Sequence, residues 1–409
     1  MTRVGLLTIG SRGDVEPFVA LALALQRQGA DVRLVTHARF RPMADRYQVP
    51  FASLPGDPAE LMATAAGRRA LTSGRNVGQF LTAFRQLTEH MALPIWDAAA
   101  AAMQDRDVLI YSTFAFHGHY LAKHLGMRAV AAHLQPLLPT GAFTSPAMPF
   151  PLPGPLLKRW SHAAALQMFW RQARAGALRL TERVPGLVVP RDIPFADVLR
   201  GEECLVAVSP AVVPRPRDWP PEVHLTGYWR LPPQPDFTPP PGLAAFLEDG
   251  PPPVYVGFGS LAQPEPDRVR SLVDAALARV GRRGVVNSGW SGIAGVDSST
   301  VHVVEDVPHA WLFPRMAAVV HHGGAGTIAA ALCAGVPSVV VPHFGDQWFW
   351  AECVQRLGAG VSVARQRLTV DALAAAITAA LGRPFPVALR TRLAEEDGAD
   401  AAARIVLRG

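Results

Sequence analysis

The residues best placed to do chemistry in this 409-residue chain lie in the run Val319-Val320-His321-His322-Gly323-Gly324-Ala325-Gly326-Thr327-Ile328. It reads as a short buried strand that breaks into a glycine turn and then opens an Ala-rich helix. A helix start leaves backbone N–H groups without intrahelical partners and presents the positive end of the helix dipole, a seat for an anion. The glycines let the backbone approach a phosphate without Cβ obstruction. His322, at the mouth of the turn, can add a donor or a positive charge. Beyond it, Pro342-His343-Phe344-Gly345-Asp346-Gln347 sets an acid and an amide side by side. A diphosphate seat followed by a pair suited to vicinal hydroxyls points to a nucleotide-sugar ligand.

Such residues need a sheet to carry them, and the sequence supplies two. The chain opens with a strand at Val4–Ile9, a turn at Gly10–Glu16 and a helix with Pro17 at its first position, where the missing N–H costs nothing. Phe18, Leu21, Ala22 and Leu25 mark one helical face. Further strands are expected at Val32–Thr36, Asp107–Ser112 and Arg128–Ala132. From Pro214 to Pro253 the chain is dense in proline, with Pro232-Pro233-Gln234-Pro235 and Pro239-Pro240-Pro241, and reads as a semi-rigid linker. A second series follows, with strands at Val254–Phe258, Gly284–Asn287, Val301–Val304, Ala317–His321 and Ser338–Val341. Strands alternating with helices predict parallel sheets covered on both faces, α/β class. The expected organisation is a Rossmann-like domain over residues 1–213, a linker over 214–253, a second Rossmann-like domain over 254–385, and a helix over 386–409 that crosses back to the first domain.

Composition narrows the function. Apolar residues make up 49% and charged residues 18%, as in a folded globular protein. The 39 basic residues exceed the 33 acidic ones, but the arginines are scattered rather than gathered in runs, which argues against nucleic acid as the partner. Cys204, Cys333 and Cys353 are far apart and form no C-x-x-C, so neither a disulfide framework nor a zinc site is expected. The strand at the very start leaves no room for a secretory segment, and no apolar run reaches the roughly 20 residues of a membrane span. The expectation is a cytoplasmic protein, monomeric or homodimeric, without membrane insertion.

Thr8-Ile9-Gly10-Ser11-Arg12-Gly13-Asp14-Val15-Glu16-Pro17, His321-His322-Gly323-Gly324-Ala325-Gly326-Thr327 and Phe344-Gly345-Asp346-Gln347, in this order and spacing, resemble the GT-B family 1 glycosyltransferases. Among these, the similarity is to bacterial and fungal sterol glucosyltransferases and to the antibiotic glycosyltransferases of actinomycetes. The resemblance covers essentially the whole chain. It implies two Rossmann-like domains with the active site in the cleft between them, an activated-sugar donor on the C-terminal domain and a lipophilic acceptor on the N-terminal one. UDP-glucose is the favoured donor and a TDP-deoxysugar the alternative; no other cofactor and no metal are implied.

Inverting transfer needs a base for the acceptor proton and stabilisation of the charge growing on the leaving diphosphate. Asp14 falls where plant members of the family carry their His, just ahead of a matching Val-x-Pro, and in the loop at the carboxyl end of the first strand. Two roles stand for it: the general base, or a cap for the helix beginning near Pro17. As a base it needs a partly desolvated site, since an ordinary carboxylate is weakly basic. Ser11 and Arg12 are donors around this loop, assigned to the acceptor side, with a role toward the diphosphate or a structural one as alternatives. His117 and His119 follow the next strand of the same sheet end, either assisting Asp14 or lining the acceptor site. The resemblance assigns the diphosphate to His322, Gly324, Gly326 and Thr327. Gly259 and Ser260, in Gly257-Phe258-Gly259-Ser260, offer a second backbone approach to phosphate. His309 occupies the stretch that holds the nucleoside, without the Trp-x-x-Gln usual in plants; Trp290 either contacts the nucleotide or fills the core. Asp346 and Gln347 are assigned to hydroxyls of the sugar, which favours glucose over a deoxysugar. Phe143, Met148 and Trp170, in and beyond an apolar Pro-rich loop, suit a flat hydrophobic acceptor.

Two other features admit different chemistry. Asp105-Arg106-Asp107 has the form of a metal motif but precedes its strand, at the sheet end opposite the ligand loops. Adjacent histidines point to opposite sides of an extended chain, so His321 and His322 do not share a metal. Gly324-x-Gly326-x-x-Ala329 with Asp346 beyond it also matches the spacing of a nicotinamide-dinucleotide fingerprint. In an oxidoreductase, however, the acid ends the second strand, whereas Asp346 follows Pro342 in a loop that opens a helix.

Overall fold

The structure, a computed structural model, describes residues 1–57, 77–191, 202–234, 237–258, 266–288, 297–305 and 307–408. Two α/β units emerge. The first comprises Met1–Ser145, Pro151–Pro232 and Glu396–Gly409, the second Pro146–Phe150 and Pro233–Glu395.

The first unit carries seven strands: β1 Arg3–Leu7, β2 Asp31–His37, β3 Phe51–Leu54, β4 Val108–Ser112, β5 Arg128–His133, β6 Glu203–Val206 and β7 Val223–Leu225. All pairs are parallel, in the order β3-β2-β1-β4-β5-β6-β7. Burial on both faces explains why β4 reads as an unbroken apolar run with every residue buried. The order reverses between β1 and β4, and loops at the carboxyl ends of such strands are where ligands bind in open α/β sheets. The second unit has β8 Val254–Gly257, β9 Gly284–Asn287, β10 Val301–Val304, β11 Ala318–His321, β12 Ser338–Val340 and β13 Gly360–Ser362, in the parallel order β10-β9-β8-β11-β12-β13. Its reversal lies between β8 and β11, and the glycine turn follows β11 directly.

Three local expectations are corrected. The first helix spans Arg12–Arg27, with Ser11 as its N-cap and Pro17 inside it. The Ser11–Asp14 pair starts the helix early, and Pro17 leaves one intrahelical bond unmade. The proline-dense stretch is not only linker: Val223–Leu225 is the edge strand of the first sheet and Pro241–Glu248 a helix. Edge position and helix starts are where proline is tolerated nearby. The terminal helix is two helices, Val387–Glu395 in the second unit and Gly398–Arg408 in the first. Asp397 causes the break, its carboxylate accepting the N–H of Asp400 at 3.0 Å. The last helix packs Ala399, Ala402, Ala403 and Val406 into the core formed by Val15, Phe18 and Val19 of the first helix. Gly398 sits so close to Gly227 that a Cβ there would lie 2.4 Å from the Gly227 carbonyl carbon.

Candidate functional site

In the second unit, the loops at the carboxyl ends of the neighbouring strands β11 and β12 meet. The turn after β11 is shaped by Gly323, whose φ of +94° favours glycine. A Cβ there would meet Val340 Cγ1 at 2.8 Å and Gln347 Cβ at 3.3 Å, so the glycine turn and the Asp346–Gln347 loop are packed directly together. The helix Ala325–Ala334 begins at Gly324 with no side chain capping it, and Gly326 is exposed with open space at its Cβ position. The first N–H groups of this ten-residue helix, uncapped among the described residues, are therefore available to an anion.

His322 leans over that start: a Cβ on Gly324 would lie 2.6 Å from His322 Nε2. Burial, and then the neighbouring His343 and His309, push its imidazole down to about 4, so before an anion arrives it is a neutral donor rather than a positive charge. His321 is fully buried, accepts the Gly323 N–H on Nδ1 at 3.1 Å, and is held well below the ordinary histidine range by burial. His309 stacks on Phe313 with ring centroids 4.3 Å apart and faces the Tyr255 hydroxyl through Nε2 at 3.4 Å. Thr327 lies half-buried in the first turn of the helix.

The hydroxyl-binding pair is partly committed. Gln347, buried, accepts the backbone N–H of His343 at 2.7 Å and of Phe344 at 3.2 Å through Oε1, which leaves its amide nitrogen as the group to meet a ligand. Asp346 opens the helix Gln347–Arg356 and accepts the Trp350 indole N–H at 2.7 Å through Oδ2. Gly259, Ser260 and Trp290 lie outside the described residues.

In the first unit, Asp14 Oδ2 accepts the Ser11 backbone N–H at 2.7 Å and the Ser11 hydroxyl at 2.9 Å. Its carboxylate nests against Gly10, where a Cβ would lie 2.4 Å from Oδ2. Asp14 thus caps the helix and, half-buried at the sheet reversal, is held in one orientation. The Ile9 N–H reaches the Ser112 hydroxyl at 3.4 Å, tying this loop to the end of β4. Arg12 pairs with Glu16 one turn along its own helix at 2.9 Å.

Two of the residues expected at an acceptor site are core instead. His117 is 3% exposed; neither ring nitrogen has a hydrogen-bond partner among the described residues, and burial pushes it down to about 4. Gly118 is the reason, because it lets the helix His117–Leu125 press flush on Tyr111 of β4. Trp170 is fully buried, packs on Phe116 and donates to the Pro190 carbonyl at 3.2 Å. His119 is buried and bonded through Nδ1 to Glu202 at 3.1 Å. Phe143 is half-buried against His162, and Met148 is half-buried in the segment belonging to the second unit. The large exposed apolar side chains of this region include Phe150, Leu156, Leu157, Trp160 and Met168.

Asp105 and Asp107 sit at the amino end of β4 and are taken up by arginines. Asp105 bonds Arg106 and Arg33, Asp107 bonds Arg3, and Arg3 holds Asp107 down to about 2. No cluster of three metal-ligating side chains occurs among the described residues, and no helix there is long and apolar enough to cross a membrane.

Comparison with known proteins gives the same picture in both halves. Residues 4–132 match the glycosyltransferase family 28 N-terminal domain, and residues 290–407 match the erythromycin biosynthesis protein CIII-like C-terminal domain. A sterol 3-beta-glucosyltransferase of Aspergillus fumigatus is 33% identical over 389 residues, 90% of this chain and 27% of that protein. The chain thus spans little more than a quarter of that relative's length. Among solved structures, the glycotransferase of kitacinnamycin is similar with a TM-score of 0.74 at 20% identity, covering 100% of this chain and 98% of the other. A Streptomyces sp. SF2575 glycosyltransferase complexed with thymidine diphosphate gives 0.64 at 21% identity, with full coverage of both chains.

Proposed function

Because this chain belongs to the GT-B glycosyltransferases, with a family 28-type first half and a CIII-like second half, we propose that it transfers a hexose from a nucleotide sugar to a hydroxyl of a lipophilic small molecule. The observation that carries this is the joined pair of ligand loops in the second unit. There a bare helix start overhung by His322 is packed through Gly323 against Asp346 and Gln347.

In this mechanism the acceptor oxygen attacks C1 of the sugar from the face opposite the nucleotide. The bond from C1 to the diphosphate oxygen breaks, the acceptor proton passes to Asp14, and the nucleoside diphosphate leaves with the bonding electrons. The helix N–H groups and His322 stabilise the charge on the departing diphosphate, the role that a divalent ion plays elsewhere. The Ser11 bonds to Asp14 Oδ2 orient the carboxylate for this transfer.

UDP-glucose is the donor we assign, with glucose favoured by the Asp346 and Gln347 loop. A TDP-linked deoxysugar is the second assignment, supported by the similar glycosyltransferase solved with thymidine diphosphate. The acceptor class is a sterol, triterpenoid or polyketide. Incubating the chain with UDP-glucose and TDP-glucose against sterol, macrolide and aromatic polyketide acceptors tests this by mass spectrometry. A hexosylated acceptor supports the proposal, and a preference for deoxysugar donors selects the second assignment. Oxidation of reduced nicotinamide in place of glycoside formation overturns both.

A further inference from the structure

We propose that His343 is a specificity-determining residue of the donor site, accepting a hydrogen bond from a hydroxyl of the hexose through Nε2. This rests on the assignment of the second unit as a nucleotide-sugar site, and it concerns a residue outside the Asp346–Gln347 pair.

The tautomer follows from one contact. His343 Nδ1 lies 2.7 Å from the Val341 carbonyl oxygen. A carbonyl has no proton to give, so Nδ1 carries the hydrogen and the neutral ring keeps its lone pair on Nε2. The ring is also fixed in place: the His343 backbone N–H is held by Gln347 Oε1, and the ring lies tilted on Phe258 with centroids 5.7 Å apart. Burial first, and the positive Arg365 second, keep the imidazole neutral and push it down to about 4. With no partner for Nε2 among the described residues, that nitrogen of this half-buried side chain is left to meet a ligand.

Its position decides between the parts of that ligand. His343 is near enough to His322 to depress that ring's protonation, and it lies three residues before Asp346 in the same loop. A neutral acceptor has no proton to offer a phosphate oxygen, which carries only lone pairs. A sugar hydroxyl does have one. The helix start and His322 therefore serve the diphosphate, while His343 joins Asp346 and Gln347 in reading hydroxyls.

Calorimetric titration of the full chain with UDP, UDP-glucose, TDP and TDP-glucose tests this in wild type and His343→Phe, with His343→Leu repeating the test should the larger ring disturb folding. For the nucleotide that wild type prefers, removing the acceptor should weaken binding of the sugar-bearing form about 2–10-fold, the worth of one net hydrogen bond. Binding of the bare diphosphate should change less than about twofold. In wild type, one of the four monodeoxyglucose donors should lose the same factor, and the variant should no longer distinguish that donor. Equal weakening of both nucleotide forms, or no change in either, overturns the role of His343. Failure of wild type to bind any nucleotide sugar overturns instead the assignment of the second unit.

Discussion

Asp14 shows how one carboxylate answers two demands. Its Oδ2 takes both Ser11 bonds and starts the first helix, so capping is observed, while catalysis is proposed from its place at the sheet reversal. Asp14→Asn separates the two, because asparagine still accepts the Ser11 bonds but cannot take a proton from the acceptor. Turnover should fall about 10²–10⁴-fold, with nucleotide-sugar affinity and melting temperature near wild type. A variant with lowered melting temperature and intact turnover would return Asp14 to capping alone. The buried histidines make a second residue-level prediction. His117, His133, His322 and His343 are each pushed down to about 4, burial being the first cause, whereas an unfolded chain protonates its histidines near 6.5. Between these values the unfolded state binds more protons, so stability is full above about pH 6.5 and declines as pH falls toward about 4. Urea unfolding across that range should show the decline, and His117→Leu should make it shallower; an unchanged slope would place the cost elsewhere.

At the scale of elements, the glycine turn after β11 is where geometry is least forgiving. Gly323→Ala would put a methyl group against Val340 and Gln347 in a backbone conformation that disfavours side chains. The turn and the Asp346–Gln347 loop should separate, weakening nucleotide-sugar binding at least about 10-fold, by calorimetry. Gly326→Ala, with open space at the same atom, should bind more nearly like wild type, and equal losses in both would mean that the packing is not what matters. The strands and this turn were legible because apolar runs flanked by glycine leave few alternatives. The strands Phe51–Leu54, Glu203–Val206, Val223–Leu225 and Gly360–Ser362 were not. They are short and lie among prolines or turn residues, and tertiary pairing rather than local pattern selects them. The burial of His117 was equally hidden, since a helix sequence does not reveal how closely Gly118 lets it approach Tyr111, and that of Trp170 rests on contacts with Phe116 and Pro190 that its own helix does not foretell. His343 stood in plain view within Pro342–Gln347, but only the contact to Val341 fixes which nitrogen keeps its lone pair.

At the scale of the whole molecule, each unit brings the carboxyl ends of its strands to a reversal of strand order, and each reversal carries one half of the proposed chemistry. The first unit supplies Asp14 and the second the diphosphate and hydroxyl ligands. The chain also threads back, its last helix completing the core beside Val15 and Phe18. The resemblance expected from three short motifs extends over both halves, as the two family matches show. The decisive measurement is a quantitative transfer assay on the full chain in excess EDTA, with UDP-glucose or TDP-glucose and an acceptor identified by screening. Glycoside and nucleoside diphosphate should appear in equal amounts at the rate seen without chelator, and the product should carry the β configuration at C1, inverted from the α-linked donor. Retained configuration, or activity lost to EDTA and restored by magnesium, would contradict the mechanism; release of nucleotide without glycoside would contradict the transfer itself.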